Sequence, residues 1–119
     1  MDLNVVVLGG RLAAPAELRV FENGNRLMRC LLTVRSERPA RRIDVVPVTL
    51  WDPPEGLVAS PPAPGDRLMA IGTVQRRFWT AADGRRSRLE IVARRVCPDD
   101  GPPIDPEYPL ADATGGDLR

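Results

Sequence analysis

Histidine and lysine are both missing from this sequence, so arginine supplies all 17 of its basic residues. Without histidine the chain lacks the commonest general base and a frequent metal ligand, which excludes much conventional catalysis. The acids are scattered, and only Asp99 and Asp100 are adjacent, so a metal-dependent hydrolase or nuclease that uses carboxylates has little support. We therefore expect no enzymatic activity, no bound metal and no cofactor.

Cysteines, aromatic residues and long apolar runs are also scarce. Cys30 and Cys97 are too few for a disulfide framework and lack the spacing of a zinc site. No segment approaches the roughly 20 apolar residues of a membrane span, and the amino terminus has neither a cationic leader nor a cleavage signal. The sequence thus predicts a cytoplasmic protein with reduced cysteines and no membrane partner.

Charge divides the 119 residues into two parts, although the net charge is only +1. Residues 1–97 carry 16 arginines and 10 acids, whereas residues 98–119 carry one arginine and six acids. A basic body indicates a polyanionic partner. The arginine bias has two explanations that the sequence leaves open, a G+C-rich coding sequence and selection for bidentate phosphate contacts. We predict one folded domain over residues 1–97 and a disordered, acidic, proline- and glycine-rich tail over residues 98–119.

Alternating apolar and polar residues predict an all-β domain. The predicted strands are residues 3–12, bent at Gly9-Gly10, a short piece at 17–21, then 26–35, 43–51 and two strands within 65–96. Asp83-Gly84 marks the turn of the last hairpin. Residues 52–65 contain five prolines and leave room for one helical turn. Five principal strands in this order fit a five-stranded Greek-key barrel of the oligonucleotide-binding (OB) fold with a long final hairpin. Composition alone also allows SH3-like barrels and small sandwiches.

The final hairpin carries the most informative residues. A period of two places Trp79, Arg77 and Gln75 on one otherwise polar face, which we expect to be the solvent side. An exposed indole beside guanidinium groups can stack nucleobases while the arginines meet phosphates. Alternatively, Trp79 covers the hairpin and packs on arginine stems. Trp51 ends the fourth strand on a second candidate outer face.

Over residues 3–97 the sequence resembles the bacterial single-stranded DNA-binding protein family. The resemblance rests on segments that occur in order: NVVVLGGRLAAPAELRVFENGN, TVR, VTLW, PGDRLMAIGTVQRRFWTAADG and LEIVARRV. It implies an OB-fold protein of the nucleoid that binds single-stranded DNA without sequence preference and protects it during replication, recombination or repair. It further implies a homo-oligomer, either a tetramer or a dimer.

By position, the resemblance makes Trp79 and Trp51 stacking platforms and places Arg77 and Gln75 along the nucleic-acid backbone. Two further family aromatics are replaced here, one by the arginine-rich residues 35–42 and one by Val45. We expect arginines to compensate by contacting phosphates. These are Arg35, Arg38, Arg41 and Arg42, with Arg29 as a further candidate.

Two features motivate an alternative function. The missing aromatics and the near-neutral total charge are compatible with a primosome-like or regulatory OB-fold oligomer that acts through protein contacts and binds DNA weakly. The tail also departs from the family, because it lacks a terminal acidic cluster closed by a bulky apolar residue. Recruitment of replication or repair proteins through the tail is therefore the implied property that this sequence supports least.

Overall fold

The structure is a computed structural model, and it describes residues 1–99. Within them the chain forms six strands and one short helix. They are β1 (Val6–Leu12), β2 (Glu17–Val20), β3 (Arg26–Ser36), β4 (Arg42–Trp51), α1 (Glu55–Ala59), β5 (Arg67–Ala81) and β6 (Gly84–Pro98). The helix lies where the proline spacing leaves room for one helical turn. The predicted disordered tail lies, from residue 100 onward, outside the described residues.

Five of the strands close into a barrel. The sheet order is β1-β5-β6-β4-β3-β2, and a further pairing of β1 with β3 closes the ring at Arg11 and Leu12. β4 and β6 run parallel where Val48–Leu50 meet Ile91–Ala93, whereas the other pairs are antiparallel. This arrangement confirms the predicted five-stranded OB-type barrel, with β2 as a short additional strand on β3.

The barrel core follows the alternation in β3 and β4. Met28, Cys30 and Leu32 of β3 are buried, and they meet Val48 and Leu50 of β4. Burial raises the pKa of the Cys30 thiol because the apolar surroundings disfavour the thiolate. The odd-numbered residues of these strands therefore face outward, and that outer surface is where a ligand can bind.

Two glycines permit the tight curvature of the barrel. A Cβ at Gly10 would lie 2.6 Å from the carbonyl oxygen of Thr33, so β1 can approach β3 only because that side chain is missing. At Gly72 a Cβ would lie 2.1 Å from the carbonyl oxygen of Val92, beside the irregularity in the β5–β6 ladder. The predicted bend at Gly9-Gly10 thus has its cause in strand closure at Gly10.

The β5–β6 hairpin extends past the barrel. Its loop is Ala82-Asp83, and Gly84 adopts a positive φ of 126° that favours glycine. Asn4 lies just before the first residue of β1, and its side chain extends the pairing with β5. It donates to the carbonyl oxygen of Val74 and accepts from the Val74 amide, both at 2.9 Å. Beyond this point both hairpin faces are exposed. The expectation of a single solvent side is therefore wrong at the tip, because no barrel wall lies beneath Phe78.

Candidate nucleic-acid interface

A groove runs over the outer face of the barrel between β4 and the β5–β6 hairpin. Its first part has a volume of about 430 Å³. That part is lined by Arg19, Phe21, Leu27, Thr49, Trp51, Gln75, Arg76, Arg77, Glu90 and Val92. A second part, of about 290 Å³, is lined by Arg29, Arg77, Trp79 and Arg88. Arg77 lines both parts and joins them into one surface.

Both tryptophans predicted as stacking platforms are exposed in this groove, Trp51 by 50% and Trp79 by 41%. They come from opposite sides, since β4 supplies Trp51 and the hairpin supplies Trp79. Thr49 and Trp51 alternate along β4 with the core residues Val48 and Leu50 and therefore point towards the groove, where Thr49 is buried and Trp51 is exposed. Of the other predicted residues, Gln75, Arg77 and Arg29 also line the groove.

Trp51 belongs to an aromatic pair that the sequence analysis missed. Its ring lies 5.7 Å from that of Phe21, centroid to centroid, with 26° between the planes. The turn between β2 and β3 fixes Phe21, whose amide donates to Asn25 and whose carbonyl accepts from Gly24. One signal was available, because Phe21 is an aromatic residue next to a turn in a chain with 4% aromatics.

Trp79 is surrounded by arginines. The guanidinium carbon of Arg88 lies 5.8 Å from the indole centroid, within cation–π range. Arg88 also lies directly opposite Arg77 in the ladder, and like charges in that relation destabilise a sheet. Among residues 1–99, no carboxylate forms an ion pair with Arg29, Arg77 or Arg88. These three arginines therefore carry positive charge that no ion pair within the described residues neutralises.

The floor of the groove differs from its arginine-rich walls because it contains an acidic residue, Glu90. The hydroxyl of Thr49 donates a hydrogen bond of 2.6 Å to Oε2 of Glu90, and both residues are buried. Glu90 lies directly opposite Gln75 in the β5–β6 ladder. A carboxylate thus lies beneath a rim of arginines.

The remaining predicted arginines lie elsewhere, around the loop between β3 and β4. Arg35, Arg41 and Arg42 line a separate pocket, and Arg38 belongs to the same loop. Arg42 Nε donates to both oxygens of Asp44, at 3.0 and 2.9 Å, and Arg41 pairs with Glu37 at 3.4 Å. The bond to Asp44 raises the pKa of Arg42 further above its ordinary value. These arginines are partly neutralised, unlike those of the groove.

The residues that the structure describes include no group of three or more side chains that could hold a metal ion. Over the same part of the chain, no helix has the length and apolar character to cross a membrane.

Comparison with known proteins adds a family and a structural relative. The model of the single-strand binding protein family matches residues 3–98. In structure the chain is similar to the Plasmodium falciparum SSB in complex with ssDNA, with a TM-score of 0.68 and 17% identity. The similarity covers 82% of this chain and 93% of that one, and it shows that the two share the barrel fold. No curated protein matches the sequence.

Proposed function

The chain belongs to the single-strand binding protein family, and we propose that it binds single-stranded DNA without sequence preference in the groove between Trp51 and Trp79. The observation that carries this proposal is the exposed Trp79 beside Arg77 and Arg88, which face each other without a carboxylate partner among residues 1–99. Repulsion between these two arginines is unfavourable when the surface is empty, and a bound polyanion relieves it.

The mechanism is non-covalent and has two contributions. Bases stack on Trp79 and on the Trp51–Phe21 pair, and each stack contributes about 1–3 kcal/mol whatever the base. Arg29, Arg77 and Arg88 contact phosphates and release their counterions. Arg35, Arg41 and Arg42 are proposed as an outlying contact region, with weaker effect because Arg41 and Arg42 already have acidic partners.

In the cell, this activity would protect exposed single strands in the nucleoid during replication, recombination or repair. Binding alone suffices for that role, so the proposal includes no catalytic step and no cofactor.

We further propose that the protein is a homo-oligomer. Past the barrel, the hairpin face opposite Trp79 exposes apolar side chains, including Phe78 at 56% and Leu89 at 54%, beside Arg85, whose guanidinium lies over the Phe78 ring. Neighbouring exposed apolar side chains on a soluble protein can mark an interaction site. A second copy of the chain that packs on this face would cover them and would leave the Trp79 face free.

Titration with oligo-dT while recording tryptophan fluorescence tests the DNA-binding proposal. Stacking should quench the emission, and Trp79→Ala should remove part of the quenching and weaken binding by about 1–3 kcal/mol. The affinity should also fall as salt is added. For each tenfold rise in salt concentration, log K should decline by about 0.7 per phosphate contacted.

Unchanged fluorescence at micromolar DNA would contradict the proposal and favour the alternative of an oligomer that acts through protein contacts. Binding that is insensitive to salt would contradict the proposed contacts between arginines and phosphates but not the proposed stacking. Val20→Ala is a suitable control, because Val20 is exposed on β2 and is not among the residues that line the groove.

A further inference from the structure

We propose that Glu90 distinguishes between bases by hydrogen bonding. Its carboxylate, at the floor of the groove beside Trp51, accepts a hydrogen bond from the exocyclic amino group of a bound base, and this favours cytosine and adenine over uracil and thymine at that subsite. The inference rests on the proposed single-stranded DNA binding, to which it adds a base preference at one position.

The geometry leaves one carboxylate oxygen available. Glu90 is only 6% exposed, and its Oε2 is occupied by the Thr49 hydroxyl. No residue among 1–99 donates a hydrogen bond to Oε1. In the same part of the chain, no fully buried side-chain oxygen or nitrogen lacks a partner, so Oε1 must reach the groove surface. Thr49 therefore fixes the orientation of an acceptor that a ligand can contact.

The charge distribution determines which part of a nucleotide meets Glu90. A carboxylate repels phosphate, whereas Arg19 and Arg77 line the same part of the groove. Phosphates are therefore held by the arginines, and the bases turn towards the floor. The adjacent Trp51–Phe21 pair supplies the surface on which such a base stacks.

The chemistry of the base edges then gives the preference. Cytosine presents its N4 amino group and adenine its N6 amino group, both donors that suit a carboxylate. Thymine and uracil present the O4 carbonyl at the equivalent position, which places an acceptor against an acceptor. A well-made contact of this kind discriminates by about fivefold or more between the right and the wrong base.

Glu90→Gln gives a sharp test. The glutamine oxygen can still accept from Thr49, while its amide nitrogen presents a donor to the groove. Affinities of wild type and variant are measured by fluorescence for oligo-dC and oligo-dU of equal length at one salt concentration. These bases have the same shape and lack the thymine methyl group. Wild type should bind oligo-dC about fivefold more tightly, and Glu90→Gln should abolish or reverse that ratio.

The matched control is Asp83→Asn, which removes one negative charge from the same hairpin at its exposed turn. It should leave the dC-to-dU ratio unchanged. Tighter binding of Glu90→Gln to both oligonucleotides by the same factor would mean that Glu90 only repels DNA, which overturns the inference. Equal affinity of wild type for oligo-dC and oligo-dU overturns it too, and this comparison needs no variant to fold. If wild type binds neither oligonucleotide, the DNA-binding proposal itself fails.

Discussion

Phe21 and Trp51 act as one unit at the edge of the groove. Trp51 ends β4, and Phe21 reaches it from the turn after β2, so β3, which pairs with both strands, brings the two rings together. Stacking of this kind contributes about 0.5–1.5 kcal/mol beyond burial, and it restricts the rotamers of both rings. The platform that we propose for base stacking is thus already formed in the protein without DNA.

A double-mutant cycle tests whether the two rings act together. We expect Phe21→Ala and Trp51→Ala each to weaken oligo-dT binding, and the double variant to lose about 0.5–1.5 kcal/mol less than the sum of the single losses. Binding can be followed in all four proteins by the fluorescence of Trp79. Strict additivity would show that Phe21 contacts DNA separately or not at all.

Sequence reasoning selected Trp51 and Trp79 as candidates but not Phe21, and the reason is physical. Periodicity assigns residues to the faces of a strand, and both tryptophans lie in strands. Phe21 lies after β2, so its position depends on a turn and on contacts between separate segments. Glu90 was missed for a related reason, since an acid in a strand is expected in solvent, and its burial depends on Thr49 of another strand.

At the scale of elements, the β5–β6 hairpin combines predictable and unpredictable features. The Asp83-Gly84 signal located the turn but not the register: a two-residue loop of Asp83-Gly84 would place Arg77 opposite Glu90, whereas the observed loop is Ala82-Asp83 and places Arg77 opposite Arg88. The exposure of both faces could not be predicted either, because alternation within a strand contains no information about where the barrel beneath it ends. The β-rich composition and strand order predicted the barrel itself, whereas its closure depends on the contact of Gly10 with β3.

The Arg77–Arg88 pair predicts a conflict between stability and binding. Arg77→Gln removes a like-charge contact, so the free energy of unfolding should stay constant or rise by about 0.2–1 kcal/mol. DNA binding should weaken, and the salt dependence of log K should become shallower by about 0.7. Thermal unfolding and salt titrations with oligo-dT measure the two effects.

Arg42→Gln is the matched control for this prediction. It removes the same charge from an arginine that is paired with Asp44 and lies outside the groove. Its effect on the salt dependence should be smaller than that of Arg77→Gln. An equal effect would mean that the loop between β3 and β4 contacts DNA as closely as the groove does.

On the scale of the whole molecule, the hairpin separates two surfaces. One carries Trp79, Arg77 and Arg88, and the other carries the apolar Val74, Phe78 and Leu89 together with Arg76 and Arg85. Because the two surfaces face opposite ways, assembly through the apolar one leaves the basic one open to DNA. The proposed assembly is therefore compatible with the proposed DNA binding.

Replacing Phe78 tests the proposed assembly. Phe78→Asp should reduce the mass measured by sedimentation, since it places a charge within the apolar contact, and the nearby Arg85 can pair with the new carboxylate and preserve the fold. Ala82→Asp, at the hairpin loop, should leave the mass unchanged. A wild-type protein that sediments as a single chain at micromolar concentration would refute the assembly.

The pairing of Asn4 with Val74 has a mechanical consequence. Two hydrogen bonds from one carboxamide anchor the projecting arm at the place where the backbone of β1 no longer reaches it. Past that anchor the outer edge of β5 has no neighbouring strand among the described residues, and only β6 pairs with it there. In the proposed binding mode, the direction of the arm at this joint sets the span between the two indoles, and with it the number of nucleotides that fits between them.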